Sequence, residues 1–294
     1  MHAVEIRGLT KLYGDTVGIE DLTLDISAGE VLGFLGPNGA GKSTTIRTLL
    51  GLIKATSGSA TFLGQDALSG DSEIRRITGY LPGSPSYYNR YTARDFLLML
   101  AQIRKVDCAA RIENYAARLN LNLDKKIGEL SKGNRQKVSV IQAFMHQPQI
   151  LFLDEPTSGL DPLVQQEFEA ILDETKKNGA AILLSSHVMS EVEHLADRVA
   201  IISAGRLVLC ESISNLRAKT TRKIDLHFSA PVDASRFTAL PSVTDVDVHG
   251  NRVTCSVVGS EHELLKLAVE LGVEGVRTHE ESLEDIFLAE VGKK

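Results

Sequence analysis

The chain has 294 residues, 43% hydrophobic and 24% charged, with 32 Lys and Arg against 38 Asp and Glu for a formal charge of −6. This balance excludes a disordered or collagen-like chain, and it excludes a global basic field of the kind that drives nucleic-acid binding. The length suits a sizeable core and two domains.

In chain order, the opening "MHAVEIRGL" lacks a basic and then apolar leader pattern, and no run of 18 apolar residues follows anywhere. The chain is therefore expected neither to be exported nor to cross a membrane. "EVLGFLG" (Glu30 to Gly36) is the first of four continuous apolar runs; the others are "ILFLD" (Ile150 to Asp154), "AAILLSS" (Ala180 to Ser186) and "VAIIS" (Val199 to Ser203). Such runs suit strands buried on both faces, and helical patterns lie between them. The alternation predicts an α/β fold with a mostly parallel sheet, whose ligands gather at the carboxyl ends of its strands.

Directly after the first run, "GPNGAGKS" (Gly36 to Ser43) fits GxxxxGKS and precedes the helical "TTIRTLLGL". Gly36, Gly39 and Gly41 let backbone N–H groups turn toward phosphate oxygens, Lys42 reaches the β and γ phosphates, and Ser43 can hold Mg²⁺. A helical subdomain is expected over about 84–145, almost wholly helical from Thr92 to Met145 and opened by a capping box of Thr92 and Asp95. Inside it, "LSKGNRQKV" (Leu130 to Val138) offers a second anion site: Ser131 caps a helix and Gly133 leaves its backbone open. One nucleotide has one set of phosphates, so the second site needs a separate explanation.

"ILFLDEP" puts Asp154 and Glu155 at the end of a strand, at the mouth of the sheet. Asp154 suits a Mg²⁺ shell, and Glu155 suits accepting or orienting a proton from attacking water. "LLSSH" places His187 past the end of another strand, where an imidazole could bond a γ-phosphate or the attacking water. From about Thr221 the pattern changes to alternation. "VTDVDVHGNRVTCSVV" predicts a hairpin turning at His249, Gly250 and Asn251, while "EHELLKLAVELG" and "SLEDIFLAEV" read as helices. The expected domains are 1–220 and a small α+β accessory domain, 221–294. Cys108, Cys210 and Cys255 lie far apart with no CxxC pair and no His at ligand spacing, so they read as reduced thiols.

"GPNGAGKST", "LSKGNRQKV", "ILFLDEPTSGLDP" and "LLSSH", in this order, resemble the ATPase subunit of an ABC transporter over about Val4 to Lys219. The resemblance implies a P-loop NTPase fold with a β-rich N-terminal part, a mostly parallel core sheet and a helical signature subdomain. It implies ATP and Mg²⁺ as ligands. Gly36, Pro37, Asn38, Gly39, Ala40, Gly41, Lys42, Ser43 and Thr44 match the phosphate loop, and Tyr13 in "KLYG" matches the aromatic residue that stacks on adenine. Asp154 matches the magnesium-side acid, Glu155 the catalytic base, Asp161 the dimer-contact loop and His187 the switch histidine; Lys42, Glu155 and His187 form the implied catalytic set. Ser131 and Gly133 belong to the signature, which in this family closes over the ATP held by another subunit.

The implied partners are thus a second copy of the chain, or a homologous subunit, in a head-to-tail dimer, and separate transmembrane permease subunits that hold it at the inner face of the membrane. The loop from Gly79 to Tyr91 would face the permease, with Tyr87, Tyr88 and Tyr91 as a contact patch. The C-terminal part resembles the extension of bacterial export-type subunits. Two departures stand out. Gly83 occupies the place of the family's loop glutamine, with Ser84 the nearest substitute, and Lys132 and Asn134 replace the usual Gly and Gln of the signature. A soluble ABC ATPase of translation or DNA repair, or an ATP-dependent switch with little turnover, are the rival readings.

Overall fold

The computed structural model describes residues 2–219 and 222–280. The described residues divide into two compact units after Cys210, ahead of the change in sequence pattern at Thr221.

The first stretch contains β1 (His2–Tyr13), β2 (Thr16–Ser27), β3 (Val31–Leu35), α1 (Lys42–Leu49), β4 (Ser57–Phe62) and β5 (Gln65–Asp66). Strands β1, β2, β4 and β5 form an antiparallel sheet in the order β2-β1-β4-β5. Its alternating pattern turns Val4, Ile6, Leu22, Leu24 and Ile26 inward. They pack on Leu32, Phe34, Phe152 and Leu183 of a second sheet, where Phe62 meets Phe152 with ring centroids 5.6 Å apart.

Next come α2 (Ser72–Ile77), β6 (Thr78–Leu81), α3 (Ala93–Arg104), α4 (Ala109–Arg118) and α5 (Lys132–Phe144). They are followed by β7 (Ile150–Asp154), α6 (Pro162–Lys177), β8 (Ala181–Ser186), α7 (Met189–Leu195), β9 (Arg198–Ser203) and β10 (Arg206–Ser212). The second sheet has the order β10-β9-β3-β8-β7-β6, with parallel pairing from β9 through β6. Every residue of β3, β7 and β8 is buried, the outcome expected of strands covered on both faces. The register sets Leu35 beside Ser186 and Asp154 beside Ser185, so three strands deliver their loops to one edge of the sheet.

The helical stretch forms as the Thr92 capping box predicts: Asp95 N–H donates to Thr92 Oγ1 at 3.0 Å, and the Thr92 hydroxyl donates to Asp95 at 2.7 Å. It is less continuous than its apolar spacing suggests. Lys105 (φ +57°) and Asn120 (φ +50°) turn left-handed at the ends of α3 and α4 and stop both helices without a glycine signal. Arg118 of α4 ties this stretch to α6, with two guanidinium bonds of 2.8 Å to Glu174 and a further one to Glu167. Those bonds to Glu174 raise the Arg118 pKa above its ordinary value, against the cost of burial.

The tyrosine patch is smaller than expected. Tyr87 turns inward, bonding the Arg135 carbonyl at 2.6 Å and Ser139 Oγ at 2.5 Å, while Tyr88 and Tyr91 stay exposed. Among the described residues no helix is long and apolar enough to cross a membrane.

The second unit carries α8 (Ile213–Lys219), β11 (Arg222–Phe228), α9 (Ser235–Thr238), β12 (Val243–His249), β13 (Arg252–Val257), α10 (His262–Glu270) and β14 (Val273–Glu280). Its antiparallel sheet has the order β12-β13-β11-β14. The expected hairpin is β12 and β13, turning at Gly250 (φ +65°). Ile224, Leu226, Phe228, Phe237, Cys255 and Leu264 fill its core. The helix expected over "SLEDIFLAEV" lies outside the described residues.

His146, buried just past α5, lies with Nε2 3.1 Å from the Thr78 carbonyl, while its Nδ1 has no partner. A carbonyl only accepts, so the proton sits on Nε2. Burial, then the charge of Arg104, pushes the imidazole pKa from 6.5 down to about 4 despite the Thr78 bond. Between those values the unfolded chain binds a proton that the folded chain refuses, so stability falls as pH drops from 6.5 toward 4. Urea midpoints measured across this window should show the native chain losing up to about 3 kcal/mol more than a His146→Gln variant.

Candidate active site

Between β3 and α1 the chain folds into a loop whose last residue, Gly41, caps the helix at φ +111°. A Cβ there would stand 2.6 Å from the Gly18 carbonyl oxygen, so glycine is required by both angle and space. The N-terminal N–H groups of α1 therefore open toward the cleft, a ready anion site. Lys42 curls back over the loop and donates to the carbonyls of Gly36 at 2.7 Å and Pro37 at 3.2 Å. Its burial pulls the ammonium pKa down, opposed by the charges of Glu155 and Asp154.

Asp154 ends β7 with a buried carboxylate shared between two hydroxyls. Ser43 Oγ donates to Oδ2 at 2.8 Å and Ser185 Oγ donates to Oδ1 at 2.5 Å. The Ser43 hydroxyl and the Asp154 carboxylate are hard oxygen donors side by side, a set that suits Mg²⁺ completed by waters and phosphate oxygens. Glu155 follows at φ +53°, a left-handed turn that aims its side chain away from the strand; its N–H donates to the Ser185 carbonyl at 3.0 Å. There His187 Nδ1 meets Glu155 Oε1 at 2.7 Å, and because a carboxylate only accepts, Nδ1 carries the proton.

A cleft of about 290 Å³ opens over this group, lined by Asn38, Lys42, Ser43, Arg47, Ser84 and Glu155 among others. Tyr13, half exposed at the end of β1, flanks the loop: a Cβ on Gly18 would lie 2.9 Å from the Tyr13 ring and 3.1 Å from the Thr44 methyl. Gly83 also lines the cleft, and its Cβ position is 3.3 Å from the Asp154 carbonyl oxygen and 3.4 Å from its Oδ2. A longer side chain at that point would reach the carboxylate; here bare backbone stands beside it.

Tyr13, Gly36, Pro37, Ser131, Gly133, Asp161 and His187 lie outside the lining of this cleft, although His187 touches Glu155, which lines it. Ser131 caps α5 by accepting the Asn134 N–H at 3.2 Å, and Asp161 caps α6 by accepting the Val164 N–H at 3.1 Å. Gly133 faces the loop before α6, where a Cβ would stand 2.7 Å from the Gly159 carbonyl, and the Lys132 stem lies along Gly159. Sequence reading missed Ser185, Gln136, whose amide donates to the Pro156 carbonyl at 2.8 Å, and Arg47 on the cleft wall. Ser185 alone left a trace, as a hydroxyl two positions before His187 on a strand end.

Comparison with known proteins decides the family. The ABC transporter family matches residues 19–158. The bacitracin transport ATP-binding protein BcrA of Bacillus licheniformis is 34% identical over 300 residues, covering 98% of this chain and 97% of its own. The chain belongs to the ABC transporter ATP-binding proteins. Nod factor export ATP-binding protein I of Rhizobium meliloti is 31% identical over 307 residues, 99% of this chain and 89% of its own. The solved structure of an ATP-binding subunit of an ABC transporter superposes with a TM-score of 0.70 at 30% identity, covering 73% of this chain and 92% of that one. This ABC protein is thus a nucleotide-binding ATPase with the P-loop fold expected from its motifs.

The contact of Gly133 with the Gly159 carbonyl gives a stability test. Gly133→Ala should destabilise the ABC protein by about 1–3 kcal/mol through overpacking, against less than about 1 kcal/mol for Gly83→Ala, whose Cβ, 3.3 Å from the Asp154 carbonyl oxygen, asks its neighbour for a far smaller shift. Urea denaturation of the two variants reads the difference.

Proposed function

We propose that this chain is the ATP-hydrolysing subunit of an exporter, closing head to tail with a second copy around two ATP molecules and passing that motion to separate membrane permease subunits. The observation that carries the hydrolytic part is the Glu155–His187 pair, set beside the Ser43–Asp154 pair at one edge of the sheet. Lys42 and the N–H groups of the loop hold the β and γ phosphates, and Tyr13 stacks on the base. Ser43 and Asp154 hold Mg²⁺, which when bound neutralises charge on the phosphates. Glu155 orients the attacking water and takes its proton, while His187 fixes the Glu155 carboxylate through Nδ1–H.

The signature end of α5 supports the paired arrangement. Ser131 and Gly133 lie outside the lining of the chain's own cleft, yet they offer N–H groups at a helix start that suits a γ-phosphate held by another chain. Asp161 then lies at the facing loop of the pair. Export is supported by relatives aligned along nearly the whole chain and named for bacitracin transport and Nod factor export. The permease is met by the helical stretch and the exposed rings of Tyr88 and Tyr91, which holds the protein at the inner membrane face. The rival roles in translation or DNA repair have no observation in their favour.

One preparation tests both parts. Glu155→Gln, tagged and drawn from its native membranes in mild detergent with ATP, should bind nucleotide, run as a dimer, bring a multi-spanning membrane protein with it and hydrolyse ATP at least about 100-fold more slowly. Unchanged turnover removes Glu155 from the base role; recovery with ribosomes or DNA-repair proteins alone removes the exporter reading.

A further inference from the structure

The loop after β7 is held from two sides besides the Glu155–His187 contact. On one side Gln136 of α5 donates to the Pro156 carbonyl at 2.8 Å. On the other, Glu191 in the first turn of α7 uses its two carboxylate oxygens separately. Thr157 Oγ1 donates to Oε1 at 2.6 Å, and Ser186 Oγ donates to Oε2 at 2.6 Å. Thr157 stands two residues beyond Glu155, and Ser186 immediately precedes His187. Ser186 Oγ also accepts the Val188 N–H at 3.0 Å, which leaves its single proton committed to Glu191.

Both strand-end loops therefore finish on one carboxylate. Glu155 needs such a constraint, because its φ of +53° is a conformation that a non-glycine residue keeps only where its surroundings over-determine it. Glu191, Thr157 and Ser186 do not line the phosphate cleft, so their influence on chemistry runs through Glu155 and His187. An amide in place of the carboxylate keeps one accepting oxygen and presents an NH₂ that only donates, so one of the two hydroxyls would have to turn its proton away and accept instead, which changes the linkage.

We propose that Glu191 is a positioning residue of the ATPase, tying Thr157 to Ser186 so that Glu155 stays opposite His187. This rests on the assignment of Glu155 and His187 to hydrolysis. It predicts an effect on kcat with KM for ATP unchanged, since the phosphate-binding groups are untouched.

Steady-state ATPase assays on the purified full-length chain test it. Glu191→Gln and Thr157→Val should each lower kcat by about 10- to 100-fold, the scale of a misplacement of about 1 Å, and leave KM in place. Thr157→Ser, which keeps the hydroxyl, should retain the native kcat. The double variant Glu191→Gln with Thr157→Val should be no slower than the slower single variant, because the two changes break one linkage. A native kcat in Thr157→Val, equal losses in Thr157→Val and Thr157→Ser, or a change in KM alone would overturn the proposal. If Glu191→Gln does not fold, the Thr157 pair still decides, as both variants keep Glu191. Glu155→Gln in the same assay separates the two readings: normal turnover there refutes the assignment of Glu155, whereas a dead Glu155→Gln beside a native Thr157→Val refutes only the role of Glu191.

Discussion

The site depends on one buried carboxylate. Burying Asp154 costs free energy unless its oxygens find donors, and they find two, the hydroxyls of Ser43 and Ser185. Those bonds join three separate parts of the chain: the first turn of α1, the end of β7 and the end of β8. Because β7 and β8 are in register at Asp154 and Ser185, the next residues on each, Glu155 and Ser186 with His187, emerge together. The phosphate loop and the Glu155–His187 pair are thus aligned by the same residue.

From that junction the constraint spreads through polar contacts between loops. Gln136 links the signature helix to Pro156, the Gly133 backbone lies against Gly159, and Glu191 links Thr157 to Ser186. A displacement of the signature helix therefore reaches the segment that carries Glu155 without passing through the nucleotide. In the proposed pair, that helix touches the γ-phosphate of the opposite chain, so each site would report its occupancy to the other through this short loop.

Much of this was legible in the sequence. "ILFLD" and "AAILLSS" are apolar throughout because parallel strands are covered on both faces, and the residues that follow them had to lie at the sheet edge. Lys42, Ser43, Asp154, Glu155 and His187 are brought together for that reason. Contacts between distant side chains left no local trace. Tyr87 read as an exposed ring, yet Ser139, a residue of another element, draws it inward. Glu191 looks like any acidic residue in a first helical turn. The helix stop at Lys105 was hidden because lysine carries no left-handed signal, whereas Asn120 carries a weak one, since asparagine tolerates that turn. Gly83 marked a departure from the family, but only the structure shows how close its backbone stands to Asp154.

In the proposed head-to-tail pair, one chain holds half of each site and a second chain supplies the rest. Asn38 in the phosphate loop and Ser131 at the start of α5 are both exposed, so each accepts a cysteine without loss of buried packing, Ser131→Cys at the cost of its cap on the Asn134 N–H. Oxidative cross-linking of a mixture of Asn38→Cys and Ser131→Cys chains, with the native cysteines replaced, measures their approach. A covalent heterodimer should form with ATP and be sparse without it. A mixture that gives no cross-link with ATP, or the same yield in its absence, would rule out the head-to-tail pairing around ATP.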